Sequence, residues 1–107
     1  MFLKKNRADK KAVEKIFKKG LFIASKNINL KYILEKSTTP PRVSFIVPKA
    51  VEKKAVKRNY LRRHGYVELK KYFENIPDGF IGAFIFKKNT PTIEIENDIK
   101  KILNKIN

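Results

Sequence analysis

The amino-acid sequence predicts an α+β fold, a two-layer sandwich with its elements in the order α-β-β-β-α-β-α. Three observations carry that prediction. Two segments alternate apolar and polar residues with the period of a half-buried strand, and three repeat apolar residues at helical spacing. Proline, glycine and Ser/Asn-rich breaks separate them. At 107 residues the chain has room for one modest core, and residues 1–107 read as a single domain without internal repeat or dividing linker.

Asp9 is placed to cap a first helix that carries Val13, Ile16 and Phe17 on one side and stops at Gly20. Leu21 to Ala24 is a short apolar run, followed by a Ser-Lys-Asn turn. From Ile28 to Leu34, Ile28, Leu30, Tyr32 and Leu34 alternate with Asn29 and Lys31, so Lys31 projects from the face opposite Leu30 and Tyr32. Ser37-Thr38-Thr39-Pro40-Pro41 is a loop, because neither proline can donate to a ladder. Arg42 to Val47 alternates again, and Pro48 ends it. A long helix is predicted from about Lys53 to Phe73, with Leu61, Gly65, Leu69 and Phe73 as its inward stripe. Gly65 inside that helix costs about 1 kcal/mol against alanine unless close packing offsets it. Pro77-Asp78-Gly79 is a turn, and Phe80 to Phe86 a buried strand in which Gly82 and Ala83 point to close approach by a neighbour. The last helix carries Ile95, Ile99, Ile102, Leu103 and Ile106 on one face, with Lys100, Lys101 and Lys105 toward its C-terminus.

Charge is the abnormal quantity. Lys and Arg number 26 against 10 Asp and Glu, a formal net charge of +16. Such self-repulsion opposes compaction, and a polyanionic partner is the common reason to tolerate it. Nucleic acid fits best, because each neutralised phosphate releases condensed counterions. There is no cysteine, which excludes disulfides and thiolate metal sites and is compatible with a reducing cytoplasm. Met1-Phe2-Leu3-Lys4-Lys5-Asn6-Arg7 lacks the apolar run of a signal peptide, and no stretch approaches membrane-spanning length. Neither a membrane nor a small-molecule substrate is expected as partner. His64 is the single histidine, and no Ser/His/Asp constellation, His-rich metal motif or phosphate-cradling glycine loop accompanies it. The expected catalytic set and the expected protein-bound metal set are therefore both empty.

The densest cations lie on the long helix. Arg58 and Arg62 stand four residues apart, as do Asn59 and Arg63, with Lys54 and Lys57 as neighbours. Arginine's planar fork suits phosphate, and asparagine offers donor and acceptor to a base or ribose. The plain alternative is a solvated helix face, but only Glu52 and Glu68 flank the cluster. An RNA-binding face is the better reading.

These residues also carry a family resemblance. Ala55-Val56-Lys57-Arg58-Asn59-Tyr60-Leu61-Arg62-Arg63 resembles the signature helix of the bacterial ribonuclease P protein subunit, whose pattern is Arg-Asn-Arg, an apolar residue and two basic residues. Arg42 to Lys49 resembles that family's Arg-Val-Gly-Phe-x-Val-Ser-Lys strand. Val13 to Gly20 is similar to its Phe-x-x-Val-Phe-Lys-x-Gly segment, and Gly79 to Lys87 to its penultimate strand. The four segments occur in the family's order and cover nearly the whole chain. The departures are Tyr60 for the second arginine of the motif, Val13 for a phenylalanine, Pro48 and Ala50 for a serine and a lysine, a missing glycine near Glu52, and one residue inserted before Ala55.

The resemblance implies a fold like domain 2 of ribosomal protein S5, with the basic helix in a left-handed crossover that general rules disfavour. It implies a protein subunit of an endoribonuclease in which a catalytic RNA, with Mg²⁺ held mainly by that RNA, removes the 5′ leader of precursor tRNA in the cytoplasm. Carried onto this chain, the catalytic RNA would meet Lys54, Lys57, Arg58, Asn59, Arg62 and Arg63. A cleft of Val13, Phe17, Lys31, Lys49 and Lys87 would hold the single-stranded leader, as basic grooves with aromatic platforms do. By helical spacing alone Phe17 reads as a core residue. Tyr60 has two readings, stacking on a base or packing inward. Phe22, Tyr66 and Tyr72 read as core or boundary residues. The rival functions are a ribosomal protein or general RNA chaperone of similar α+β fold, and a DNA-binding regulator, which would bring a recognition helix or zipper not seen here.

Overall fold

The computed structural model describes residues 7–36 and 39–106. The chain start Met1–Asn6 and the Ser37-Thr38 part of the expected loop lie outside the described residues. The elements are α1 (Lys10–Lys19), β1 (Leu21–Ala24), β2 (Ile28–Leu34), β3 (Arg42–Ile46), α2 (Ala55–Lys70), β4 (Phe80–Phe86) and α3 (Thr92–Ile106), in the expected order. One sheet runs β1-β2-β4-β3. Its β1/β2 and β2/β4 pairs are antiparallel and β3/β4 is parallel. A parallel pair cannot be joined by a hairpin, and α2 supplies the crossover.

Strand alternation divides the sheet into two unequal faces. Ile28, Leu30, Tyr32, Val43, Phe45, Phe80, Phe84 and Phe86 meet Leu61 and Leu69 of α2 and Ile95, Ile99, Ile102 and Leu103 of α3 in the main core. The Phe45 ring stacks on Phe84 at 4.9 Å between centroids and takes the edge of Tyr66 at 4.9 Å. On the other face, Ile81 and Ala83 meet Ala12 and Ile16 of α1. Strand β4 is thus covered on both sides, which explains why Phe80 to Phe86 is an unbroken apolar run. The side of α1 that is buried is Ala12 and Ile16, not the Val13-Ile16-Phe17 grouping expected from spacing. Asp9 caps α1 as expected, its Oδ1 accepting from the Ala12 N–H at 2.9 Å.

Gly65 and Gly82 are present because side chains occupy the space a Cβ would need. A Cβ on Gly65 would stand 2.6 Å from the buried Phe45 ring, and one on Gly82 equally close to the ring of Phe80. Tyr32, which pairs with Gly82 across the strands, stacks on that same Phe80. Close packing therefore offsets the helix penalty at Gly65. Gly65→Ala is expected to destabilise by about 1–2 kcal/mol, overpacking outweighing the gain in helix propensity. A urea unfolding midpoint at or above that of the parent would show that Phe45 can move aside.

Helix α2 is shorter than expected at both ends. Lys54 is extended, with φ −81° and ψ 123°. At the far end, Tyr72 leaves helical geometry and Phe73 falls in a short 3-10 turn, Phe73–Asn75, from which it still packs on the core. Tyr72 donates its hydroxyl proton to Glu96 of α3 at 2.6 Å. That bond, and then the charges of Lys71 and Lys100, hold the Glu96 carboxyl below the ordinary carboxylate range. A lowered folded-state pKa stabilises above the unfolded value, and the benefit is lost as pH falls through the lowered one. Tyr72→Phe should move the Glu96 titration, followed by carbon NMR, back toward the ordinary range; an unmoved titration would assign the effect to the lysines.

Two further ties connect distant parts of the chain. Asp98 of α3 is buried, and its Oδ2 accepts from the N–H groups of Asn27 and Ile28 at 2.6 and 3.0 Å. Strand β3 lies at a sheet edge, where backbone groups need other partners. The Phe45 N–H donates to the Tyr66 hydroxyl at 3.3 Å, and the Ala8 N–H to the Val43 carbonyl at 2.9 Å. Among the described residues no helix is long and apolar enough to cross a membrane.

Candidate nucleic-acid interface

An α-helix turns once in about 3.6 residues, so positions on α2 have fixed directions relative to its buried line Leu61, Gly65 and Leu69. Asn59 and Arg63 point away from that line and are exposed. Arg62, beside them and half-buried, approaches the Asn59 Oδ1 at 3.4 Å. Lys57 and Tyr60 lie on the other flank, toward α3, where the Tyr60 ring meets His64 at 4.1 Å between centroids. His64 in turn bonds Thr92 at the start of α3, Nδ1 to Oγ1, at 3.0 Å. Of the six residues expected on one RNA face, Asn59, Arg62 and Arg63 thus lie on one flank of the helix and Lys57 on the other, while Lys54 precedes the helix as its extended N-cap residue.

Arg58 has a different position from its neighbours. It stands two turns before Gly65, so it leaves the helix in nearly the direction of that buried glycine. Its Nη1 donates to the carbonyls of Glu52 and Lys53 at 3.0 and 2.7 Å. The Glu52 carboxylate accepts from the Lys54 N–H at 3.2 Å and from the Asn89 amide at 3.1 Å. These bonds fasten the segment leading into α2, which has no side-chain N-cap. Half-buried Arg58 is a clamp as well as a cation.

The second surface lies on the α1 side of the sheet. Val13 is half-buried and Phe17, one turn further along α1, is 45% exposed. The Lys31 Nζ stands 5.4 Å from the centre of the Phe17 ring, a cation–π contact. Phe17 is therefore a surface platform rather than a core residue. Lys49 and Lys87 are exposed just beyond the C-terminal ends of the parallel strands β3 and β4, so they share one end of the sheet. Phe22, read from the sequence as core or boundary, is 54% exposed and pairs with Lys31 across β1 and β2. Cross-strand partners share a sheet face, so Phe22 joins Phe17 and Lys31 on the α1 side. The period of β1 could have signalled this, but four residues are too few to establish one.

The acidic side chains leave most of this charge uncompensated. Ion pairs among the described residues engage Lys15 with Glu35, Lys26 with Glu94, and Lys71 with Glu68 and Glu96. The Lys15 ammonium holds the Glu35 carboxyl below its usual range. None of these pairs involves the cations of α2 from Lys57 to Arg63. Among the described residues no three His, Cys, Asp or Glu come together as a metal cluster. The arrangement offers one convex basic helix and one shallow basic face with aromatic platforms.

Comparison with known proteins gives the same picture of the fold. The family model described as Ribonuclease P matches residues 3–107. The structure of the Staphylococcus aureus RNase P protein at 2.0 Å superposes with a TM-score of 0.81 at 23% identity, covering 94% of each chain. The RNase P protein from Thermotoga maritima gives a TM-score of 0.81 at 19% identity, over 94% of this chain and 97% of that one. No curated protein sequence matches the chain significantly.

Proposed function

Because the chain belongs to the ribonuclease P protein family, whose members serve an endoribonuclease complex, we propose that it binds a catalytic RNA and the 5′ leader of precursor tRNA in the cytoplasm. The observation that supports this most directly is the pair of separate basic surfaces. Asn59, Arg62 and Arg63 on one flank of α2, with Lys57 on the other, Lys54 at the helix start and part of Arg58, make the helix a basic surface suited to folded RNA, where phosphates are dense. Phe17, Phe22 and Lys31, with Val13 beside them and Lys49 and Lys87 at the sheet end, form a face suited to a single strand. Hydrolysis of the phosphodiester belongs to the RNA partner in this reading. The side chains here do not fit a magnesium cage, since Glu52 and Asp98 are committed to protein partners and no acidic cluster forms among the described residues. The Mg²⁺ ions of such a reaction would be held by the RNA.

The test is reconstitution. Addition of the chain to a ribonuclease P catalytic RNA at low Mg²⁺ should raise the rate of 5′-leader removal from precursor tRNA. No gain would sink the assignment. A ribosomal protein or general chaperone of the same charge should give no gain specific to a leader-bearing substrate, and a DNA-binding regulator should be competed away by duplex DNA at equal salt.

A further inference from the structure

Between the turn of α2 that carries Lys57, Tyr60 and Leu61 and the Asn89–Thr92 loop lies an open cleft of about 470 Å³. We propose that this cleft takes one unpaired nucleobase of the RNA partner, stacked on Tyr60 with Lys57 at its phosphate. The inference rests on the reading of the chain as an RNA-binding subunit and adds a site to it. Tyr60 is 61% exposed, a large aromatic ring left facing solvent above a hollow. The ring is backed by His64, which the hydrogen bond to Thr92 anchors to α3, so the platform is supported from behind. Leu61 and Pro91 line the cleft with apolar surface.

The polar groups suit the same occupant. Lys57 has no acidic partner among the described residues. The nearby Glu52 carboxylate is already engaged by the Lys54 N–H and by the Asn89 amide nitrogen. Of the Asn89 amide only the nitrogen is engaged among the described residues, so the oxygen can accept from an exocyclic amino group. The cleft volume lies within the range of about 300–1,000 Å³ typical of small-ligand sites. A base within a duplex is stacked on both faces and cannot enter, so the site selects a bulged or looped-out nucleotide. Single-base stacking on an aromatic side chain is worth about tenfold or more in affinity and tolerates any base identity.

The probe is an RNA hairpin with one bulged adenosine, compared at fixed salt with the same hairpin fully paired. The parent chain should bind the bulged hairpin about tenfold tighter. Tyr60→Phe should keep the preference and Tyr60→Ala should abolish it, with circular dichroism showing both variants folded. The chain contains no tryptophan, so Tyr60→Trp supplies a single reporter whose emission should quench with the bulged hairpin only. Equal binding of the two hairpins by the parent, or an undiminished preference in Tyr60→Ala, would overturn the proposal. Failure of the parent to stimulate the catalytic RNA at all would instead overturn the functional reading beneath it.

Discussion

Asp98→Ala is expected to lower the unfolding free energy by about 3–5 kcal/mol, because two buried backbone N–H groups lose their acceptor at once. The carboxylate lies in the interface between α3 and the β1–β2 turn, where Oδ2 serves both Asn27 and Ile28. The Asn27 carbonyl accepts from the Lys87 N–H at 2.8 Å, so the same turn also joins the end of β4. Loss of the acceptor thus loosens one end of the sheet. A loss of this size is a large share of the roughly 5–15 kcal/mol that stabilises a typical domain. Asp98→Asn keeps an oxygen at the same place and should cost about 1 kcal/mol, the difference between a charged and a neutral acceptor. Urea unfolding of the three chains measures both steps. If Asp98→Ala unfolds at the parent midpoint, water must replace the carboxylate and the tie is unimportant.

The second large effect concerns RNA. Arg62→Ala combined with Arg63→Ala should weaken binding to the catalytic RNA by about two to four orders of magnitude, at about 1.5–3 kcal/mol for each charge-assisted bond lost. The slope of log affinity against log salt should fall by about 1 per phosphate contact removed. Phe17→Ala should leave that binding nearly unchanged and weaken instead the extra affinity that a 5′ leader gives precursor tRNA. Equal effects of the two changes on assembly would refute the division into two surfaces. Arg58→Ala should also weaken assembly more than Phe17→Ala does, but it is a poorer probe of contact. Its guanidinium holds the Glu52 and Lys53 carbonyls, so its loss frees the segment before α2 as well as removing a charge. Thermal unfolding separates the two, since Arg63, exposed and without an ion pair among the described residues, should leave the melting temperature unchanged.

Much of this was legible along the chain. The alternation of Ile28 to Leu34 placed Lys31 on the face away from the main core, and the helical spacing of Ile95 to Ile106 identified the buried side of α3. Both are local patterns set by backbone geometry. Asp98 was not legible, because it occupies a polar position beside an apolar stripe and its partners are some seventy residues away. Phe17 was legible only in part. Its helical spacing suggested burial, whereas α1 covers the sheet with Ala12 and Ile16 and leaves the Phe17 ring at the margin. Phe22 was missed for a related reason: an apolar residue in a strand reads as buried until the strand is known to lie at an edge.

The basic helix shows where the boundary lies. Composition, spacing and the residues from Lys57 to Arg63 by themselves determined that this chain is a small α+β protein with a strongly cationic helix, because charge and periodicity are properties of the chain. Which cations are free was decided only by tertiary structure. The extended segment at Lys53 and Lys54 brings carbonyls within reach of Arg58, and the loop at Asn89–Thr92 forms a cleft beside Lys57 and Tyr60. Helical periodicity gives each side chain a direction, but only the packed neighbours determine whether that direction leads to a carbonyl, a hollow or solvent.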